Sequence, residues 1–314
     1  MPSLNVRSQR ELRMRGAAGL AQSRAVADHL SAASGLVRRG ERHFVVADDE
    51  NHLAVFDAAG EGDWLRLFDG ELGAPGARRK ATKPDLETLL ELPPMPGHAA
   101  GALLSLGSGS RPNRQRGVML PFEAGPLGLG TPREIDLAPL YTPLRRRCAD
   151  LNIEGGALCG NQFLLLQRAN LGGAANLCIR YAWPELLAWL LDAGAAAPMP
   201  QAIEPFDLGQ LDGVALGFTD ATALPGGAWA FSAAAEATHD SYQDGACTGS
   251  VIGIVSGAGS LTQLQRLPGR WKVEGIAASL IADSTRIEFS LVTDADDRAQ
   301  TAMLLSATLD TGPL

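Results

Sequence analysis

Four acidic residues far apart in the chain, Glu87, Glu154, Asp220 and Glu274, sit in similar surroundings: the acid, small residues, then an apolar run. The segments read DLETLLEL, NIEGGAL, FTDATAL and VEGIAASL, and a degenerate copy, ASGLV, carries Ser34 at the acid position. They recur at intervals of roughly 50–65 residues, a spacing that signals repeated supersecondary units. If the units pack around one axis, the acids converge. Converging carboxylates repel and hold protons at raised pKa values unless a cation neutralises them. An all-oxygen set without thiolate or imidazole suits a hard ion, so Glu87, Glu154, Asp220 and Glu274 are the expected ligands of Ca2+ or another divalent cation. Lys83, Arg116, Arg168 and Lys272 lie beside the same segments and support a competing reading, an ionic network lining the channel without metal.

Two further stretches carry polar chemistry. Residues 233–250 gather Glu236, His239, Asp240, Tyr242 and Asp244 in one loop, and the run DADD places Asp294 and Asp296 at the end of another apolar segment. Neither has the ligand spacing of an EF-hand. The segment GSGSRPNRQR (107–116) combines Ser108 with glycine amides and three arginines, the makings of an anion cradle, although it lacks the ending of a Walker loop. No GxSxG elbow is present, and His98 and His239 are the histidines best placed for chemistry. Cys148, Cys159, Cys178 and Cys247 form no CxxC pair, so buried free thiols are expected.

The elements that must position these residues are strands. Runs of five to eight residues rich in Val, Ile, Leu and Phe alternate with Gly, Pro, Asn and Asp clusters along nearly the whole chain. Each acid-bearing strand is followed by a second strand ending in polar residues, such as Arg168 or Asp294. Such units, repeated about five times, predict an all-β fold, a β-propeller of five or six blades, with 1–314 as one domain. A sixth blade would draw on the N-terminal strand. Residues 184–197 predict the one helical insertion, with Pro184 suited to the first turn and Gly194 near its end. Packing of its leucines onto the propeller wall is the expected role, with a dimer contact, favoured by Trp189 on the other face, as the alternative, and the oligomeric state is open.

Composition narrows the partners. Hydrophobic residues make up 46% and charged residues 20%, ample for a packed core. The net charge of −8 argues against a nucleic-acid reader, and no apolar run of 18 residues exists to cross a membrane. The N-terminal residues carry arginines with no apolar stretch behind them, so a cytoplasmic protein is expected.

The segments KATKPDLETLLELPP, GALLSLGSGSRPNRQRGVML, LNIEGGALCGNQFLLLQRAN, GFTDATALPGGAWAFSAAAEATHDSYQDG and WKVEGIAA resemble an uncharacterised bacterial family of propeller-like proteins over most of residues 34–305. More distantly, the xEG strand starts are similar to those of phytase-like esterase domains and of the regucalcin and gluconolactonase group. Glu154 and Glu274 match the EG feature, whereas Glu87 and Asp220 match by repeat position. The chain departs from regucalcin in lacking its asparagine ligands, apart from Asn152 and Asn170. This resemblance implies a channel cation that polarises an ester or lactone. The expected function is a metal-dependent hydrolase of a small anionic ester, lactone or phosphoester. Glu236 or Asp294 would be the general base, with Arg168, Arg116, Lys83, Ser108 and His239 holding the substrate. The alternative is a non-catalytic binding module whose channel cation is structural.

Overall fold

The turn-bounded apolar runs fold as strands because each sheet in a radial array is covered on both faces by its neighbours. The computed structural model describes residues 4–15, 28–73, 77–125, 127–148, 150–192, 194–238, 245–281 and 285–311. These form a five-bladed β-propeller whose blades pair antiparallel, apart from the short parallel strand Arg13–Met14 on blade I. The blades begin with the inner strands Ala33–Arg39, Leu86–Leu92, Ile153–Cys159, Val214–Ala223 and Val273–Leu280, here blades I to V. Each inner strand packs against the next, and the fifth returns to the first, closing the ring. The N-terminal strand Asn5–Glu11 adds to the outer strand Met303–Asp310 of blade V and does not begin a sixth blade. Immediately after it, Arg13–Met14 pairs with the outer strand of blade I, and Leu12 between them is fully buried. One segment thus fastens the last blade to the first.

The core is divided into five clusters, one in each wedge between neighbouring blades. Blades III and IV, for example, meet through Leu164, Leu166, Phe218, Trp229 and Phe231. The wedge between blades II and III also takes up two helices, Ala138–Arg145 and Trp183–Leu191. Only the second was expected, and it ends well before residue 197. Pro143 inside the first disguises its helical pattern. Trp189 is 8% exposed and packs into this wedge, which corrects its reading as an outward dimer contact. A third helix, Ala77–Thr82, joins blade I to blade II. None of the helices among the described residues is long and apolar enough to cross a membrane. Cys148, Cys159 and Cys178 are buried free thiols, and Cys247 is half-buried.

Every inner strand carries a β-bulge at the acid position. Glu87, Glu154 and Glu274 are skipped by the pairing register, as are Ser34 with Gly35 in blade I and Thr219 in blade IV. A bulge bends the strand and re-aims the extra side chain. The next residue in each strand then lies at a waist where neighbouring inner strands almost touch. These waist residues are Gly35, Thr88, Gly155, Asp220 and Gly275. A Cβ added to Gly275 would lie 2.1 Å from the Ser34 carbonyl oxygen, and one added to Gly155 would lie 2.8 Å from the Asp220 Cα. Glycine at three of these positions, Gly35, Gly155 and Gly275, is therefore required by close backbone approach.

Gly275→Ala is expected to cost about 3 kcal/mol of unfolding free energy through this overlap. Gly125→Ala, where a Cβ meets nothing within 4 Å, is expected to stay within about 0.5 kcal/mol of the parent. Urea denaturation of both variants checks the contrast. Equal stabilities would contradict the close waist.

Candidate functional site

Above the waist the channel opens into a mouth lined by both signs of charge. Eight carboxylates, from Asp48, Asp85, Glu87, Glu154, Glu236, Glu274, Asp294 and Asp296, face five cations, from Lys80, Lys83, Arg114, Arg168 and Lys272. The elements that deliver them follow one rule. Each inner strand of blades II, III and V begins just after a polar residue two positions ahead of its acid, and Asp85 with Glu87, Asn152 with Glu154 and Lys272 with Glu274 line the mouth together. The second strand of each blade ends alongside, contributing Asp48, Arg168 and Asp294.

Arg168 is the hub. Its guanidinium donates to Glu236 at 2.5 Å and to Glu154 at 3.3 Å, and lies 3.5 Å from Glu274. The side chain reaches this place by passing Gly217, where an added Cβ would sit 2.8 Å from Arg168 Cγ. Lys272 lies 2.6 Å from Asp296, 3.3 Å from Glu274 and 3.4 Å from Glu236. Both cations are largely buried, with side chains 11% and 9% exposed, and both are held firmly protonated: desolvation is outweighed by the surrounding carboxylates, Glu274 foremost. Across the mouth, Lys83 pairs with Asp48 and, at 2.8 Å, with Asp85.

The carboxyls differ in state. Burial pushes Glu154 up to about 8, opposed by Arg168 and reinforced by Glu274. It also raises Glu87 well above the usual range, with the Glu154 charge adding, and raises Asp294 against the pull of Lys272. Glu274 is raised by burial, partly offset by Lys272 and Arg168. Both of its oxygens are buried and accept no hydrogen bond among the described residues. Asp85 behaves in the opposite way: burial would raise it, yet Lys83 and Arg114 hold it below its ordinary value. Glu236 stays ion-paired to Arg168 and Lys272 and accepts the Gly245 amide at 2.8 Å.

Of the residues expected in the site, Glu87, Glu154, Glu274, Lys83, Arg168, Glu236 and Asp294 come together at the mouth. Asp220 does not. It lies at the waist, fully buried, accepting the Ile276 amide at 2.9 Å and the Ala221 amide at 2.8 Å, with the Leu36 amide adding to them. The equivalent of the acids in blade IV is Thr219, so the expected four-acid ligand ring does not form. Arg116 is also outside: it forks onto Glu134, 2.9 Å at Nη2, with its guanidinium over the Phe68 ring. Ser108 is fully buried and donates to Asp85. The suspected anion cradle therefore holds the chain's own anion, because Arg114 also donates to Asp85, at 3.0 Å. His239, Asp240, Tyr242 and Asp244 lie outside the described residues. Asp48, Asp85, Arg114 and Lys80 were missed as site residues. The two-residue periodicity before each acid was the signal that pointed to Asp85.

Fold and site together define a five-bladed propeller with a charged, partly protonated channel mouth. The chain belongs to DUF6929, a family of unknown function, whose model matches residues 29–309. No curated protein matches the sequence. Among solved structures, a gluconolactonase from Xanthomonas campestris is similar at 12% identity, over 88% of this chain and 72% of that one, with a TM-score of 0.41. An α-L-arabinofuranosidase from Podospora anserina, in complex with cellotriose, is similar at 10% identity over 96% and 95%, TM-score 0.45. An arabinanase from Bacillus subtilis follows at 9% identity over 89% and 94%, TM-score 0.35. These likenesses assign no reaction.

The raised carboxyls set a pH dependence. The folded protein keeps protons that the unfolded chain releases, so stability falls as pH rises from about 4.5, the ordinary value for Glu154, to about 8, its folded value. Glu154→Gln is expected to flatten the fall in Tm over that window, as read by thermal melts in a pH series. An unchanged slope would contradict the assignment.

Proposed function

We propose that the protein is a hydrolase of a small anionic ester, lactone or phosphoester, acting at the channel mouth. One observation carries the reading: Arg168 bridges two carboxyl groups, Glu236 and Glu154, and burial pushes Glu154 up to about 8. Two carboxyls held by one guanidinium, one of them raised by burial, are suited to divide base and acid roles. Glu236 would take a proton from water as its oxygen attacks the carbonyl carbon or phosphorus. Glu154 would return a proton to the leaving oxygen as the old ester bond breaks. Arg168 and Lys272 would steady the charge that develops on the central oxygen. Asp294, raised by burial, suits proton donation better than the base role expected of it.

The charge balance supports an anionic substrate. Five cations line the mouth, and burial raises Glu87, Glu154 and Asp294 toward their neutral forms, which weakens the negative field that would repel an anion. A panel of phosphate monoesters, γ-lactones and monomethyl esters of dicarboxylic acids, followed by pH-stat, tests the reading. Glu154→Gln and Glu236→Gln are each expected to lower kcat about 100-fold or more. Activity is expected to fall above about pH 8, where Glu154 loses its proton. No turnover across the panel would overturn the proposal.

A second reading, a non-catalytic module holding a divalent cation, is favoured by the oxygens of Asp48, Asp85 and Glu87, which lie within 4.8 Å of one another. This all-oxygen set fits a hard ion of the calcium class, which when bound would supply a fixed positive charge at the mouth. Lys83 already neutralises two of the three. On this reading calcium competes with the ammonium, so Lys83→Met is expected to tighten calcium binding about tenfold or more by calorimetry. Absence of binding in both proteins would end it.

A further inference from the structure

The mouth itself is small, about 80 Å³, yet it continues into a larger chamber of about 270 Å³ between blades V and I. The two spaces share Asp48, Lys80, Lys83, Asp294 and Asp296. Beyond these, the chamber is walled by Ser31 and Ala32 just before the blade I inner strand, by Asp49, by Arg79 of the helix Ala77–Thr82, and by Asp297 and Arg298. Its arginines are committed to the protein. Arg79 pairs with Glu50 and donates to the Asp49 carbonyl at 2.9 Å, and Arg298 pairs with Asp49. With Asp49 paired to Arg298 and Asp48 to Lys83, the remaining surface includes alkyl stems, the Ala32 methyl group and guanidinium groups. Arg298 remains 35% exposed, and a paired guanidinium still presents its plane to a flat ring.

We infer that this chamber is a second subsite that receives an uncharged planar ring, so that the substrate is bipartite: an anionic reacting head in the mouth and an aromatic body between blades V and I. The inference rests on the proposed hydrolase reading for the identity of the head, while the chamber itself stands on its walls and volume. Together the two spaces come to the lower end of the usual size of small-molecule sites, roughly 300 Å³. The mouth alone falls far short of it.

Monomethyl malonate and monomethyl benzylmalonate share one ester and one carboxylate and differ in the ring. The benzyl compound is expected to show kcat/KM about tenfold or more above the other. Ala32→Phe, which fills the chamber, is expected to bring the ratio to about one; Asp297→Trp, at an exposed chamber position, serves if that variant does not fold. Binding of benzylmalonate and malonate by calorimetry supplies a reading independent of turnover. If neither ester is hydrolysed but benzylmalonate binds about tenfold more tightly than malonate, and loses that advantage in the filled variants, the chamber stands and the hydrolase reading falls. Equal binding of the two acids, or an advantage that survives both substitutions, overturns the chamber.

Discussion

The narrowness of the channel waist governs the rest of the molecule. Five inner strands approach so closely that three waist positions admit only glycine, and Asp220 uses the room beside them to accept amides from blade V and from its own strand. Buried amides at a free strand edge need partners, and their loss costs about 1–3 kcal/mol each. The Asp220 carboxyl meets that need at the cost of its own burial. The bulge just before the waist then brings one side chain to the mouth in four blades, Ser34, Glu87, Glu154 and Glu274, whereas Thr219 of blade IV donates to Ser232 instead. Fold closure and site assembly thus come from the same backbone irregularity.

What the waist gathers is electrostatically expensive. Carboxylates brought out of water either pair, protonate or bind a cation, and the mouth uses the first two side by side. Arg168 and Lys272 serve one half, around Glu154, Glu236 and Glu274, while Lys83 and Arg114 serve the other, around Asp48 and Asp85. A mouth arranged in this way can exchange protons with a ligand near neutral pH without rearranging its backbone, which is what acid–base chemistry on a rigid scaffold asks for.

Much of this was legible in the chain because the repeat imposes it. Three of the four acids first singled out, Glu87, Glu154 and Glu274, lie where a radial repeat would carry them, and the strand-turn alternation identifies the architecture. Asp220 was misaligned by one residue, since a bulge inserts a position that simple spacing cannot see, and Thr219 occupies the acid's place. The cradle 107–116 has the composition of an anion site, but sequence does not tell whether the anion is a ligand or Asp85. The helix Ala138–Arg145 was hidden by its proline, and the sixth blade dissolved because the N-terminal strand completes the fifth. Arg116 and Ser108 were assigned by nearness in sequence to the acids; their strand faces and burial point them elsewhere.

The most direct test is an NMR pH titration of the protein carrying ¹³C-carboxyl glutamate, with Glu154→Gln identifying the resonance. A midpoint for Glu154 near 8 is the expected result, because only a buried acid among other acids around Arg168 holds its proton that far. A midpoint near the ordinary 4.5 would mean that the glutamates are hydrated and apart, and that the charged mouth described above does not exist in solution.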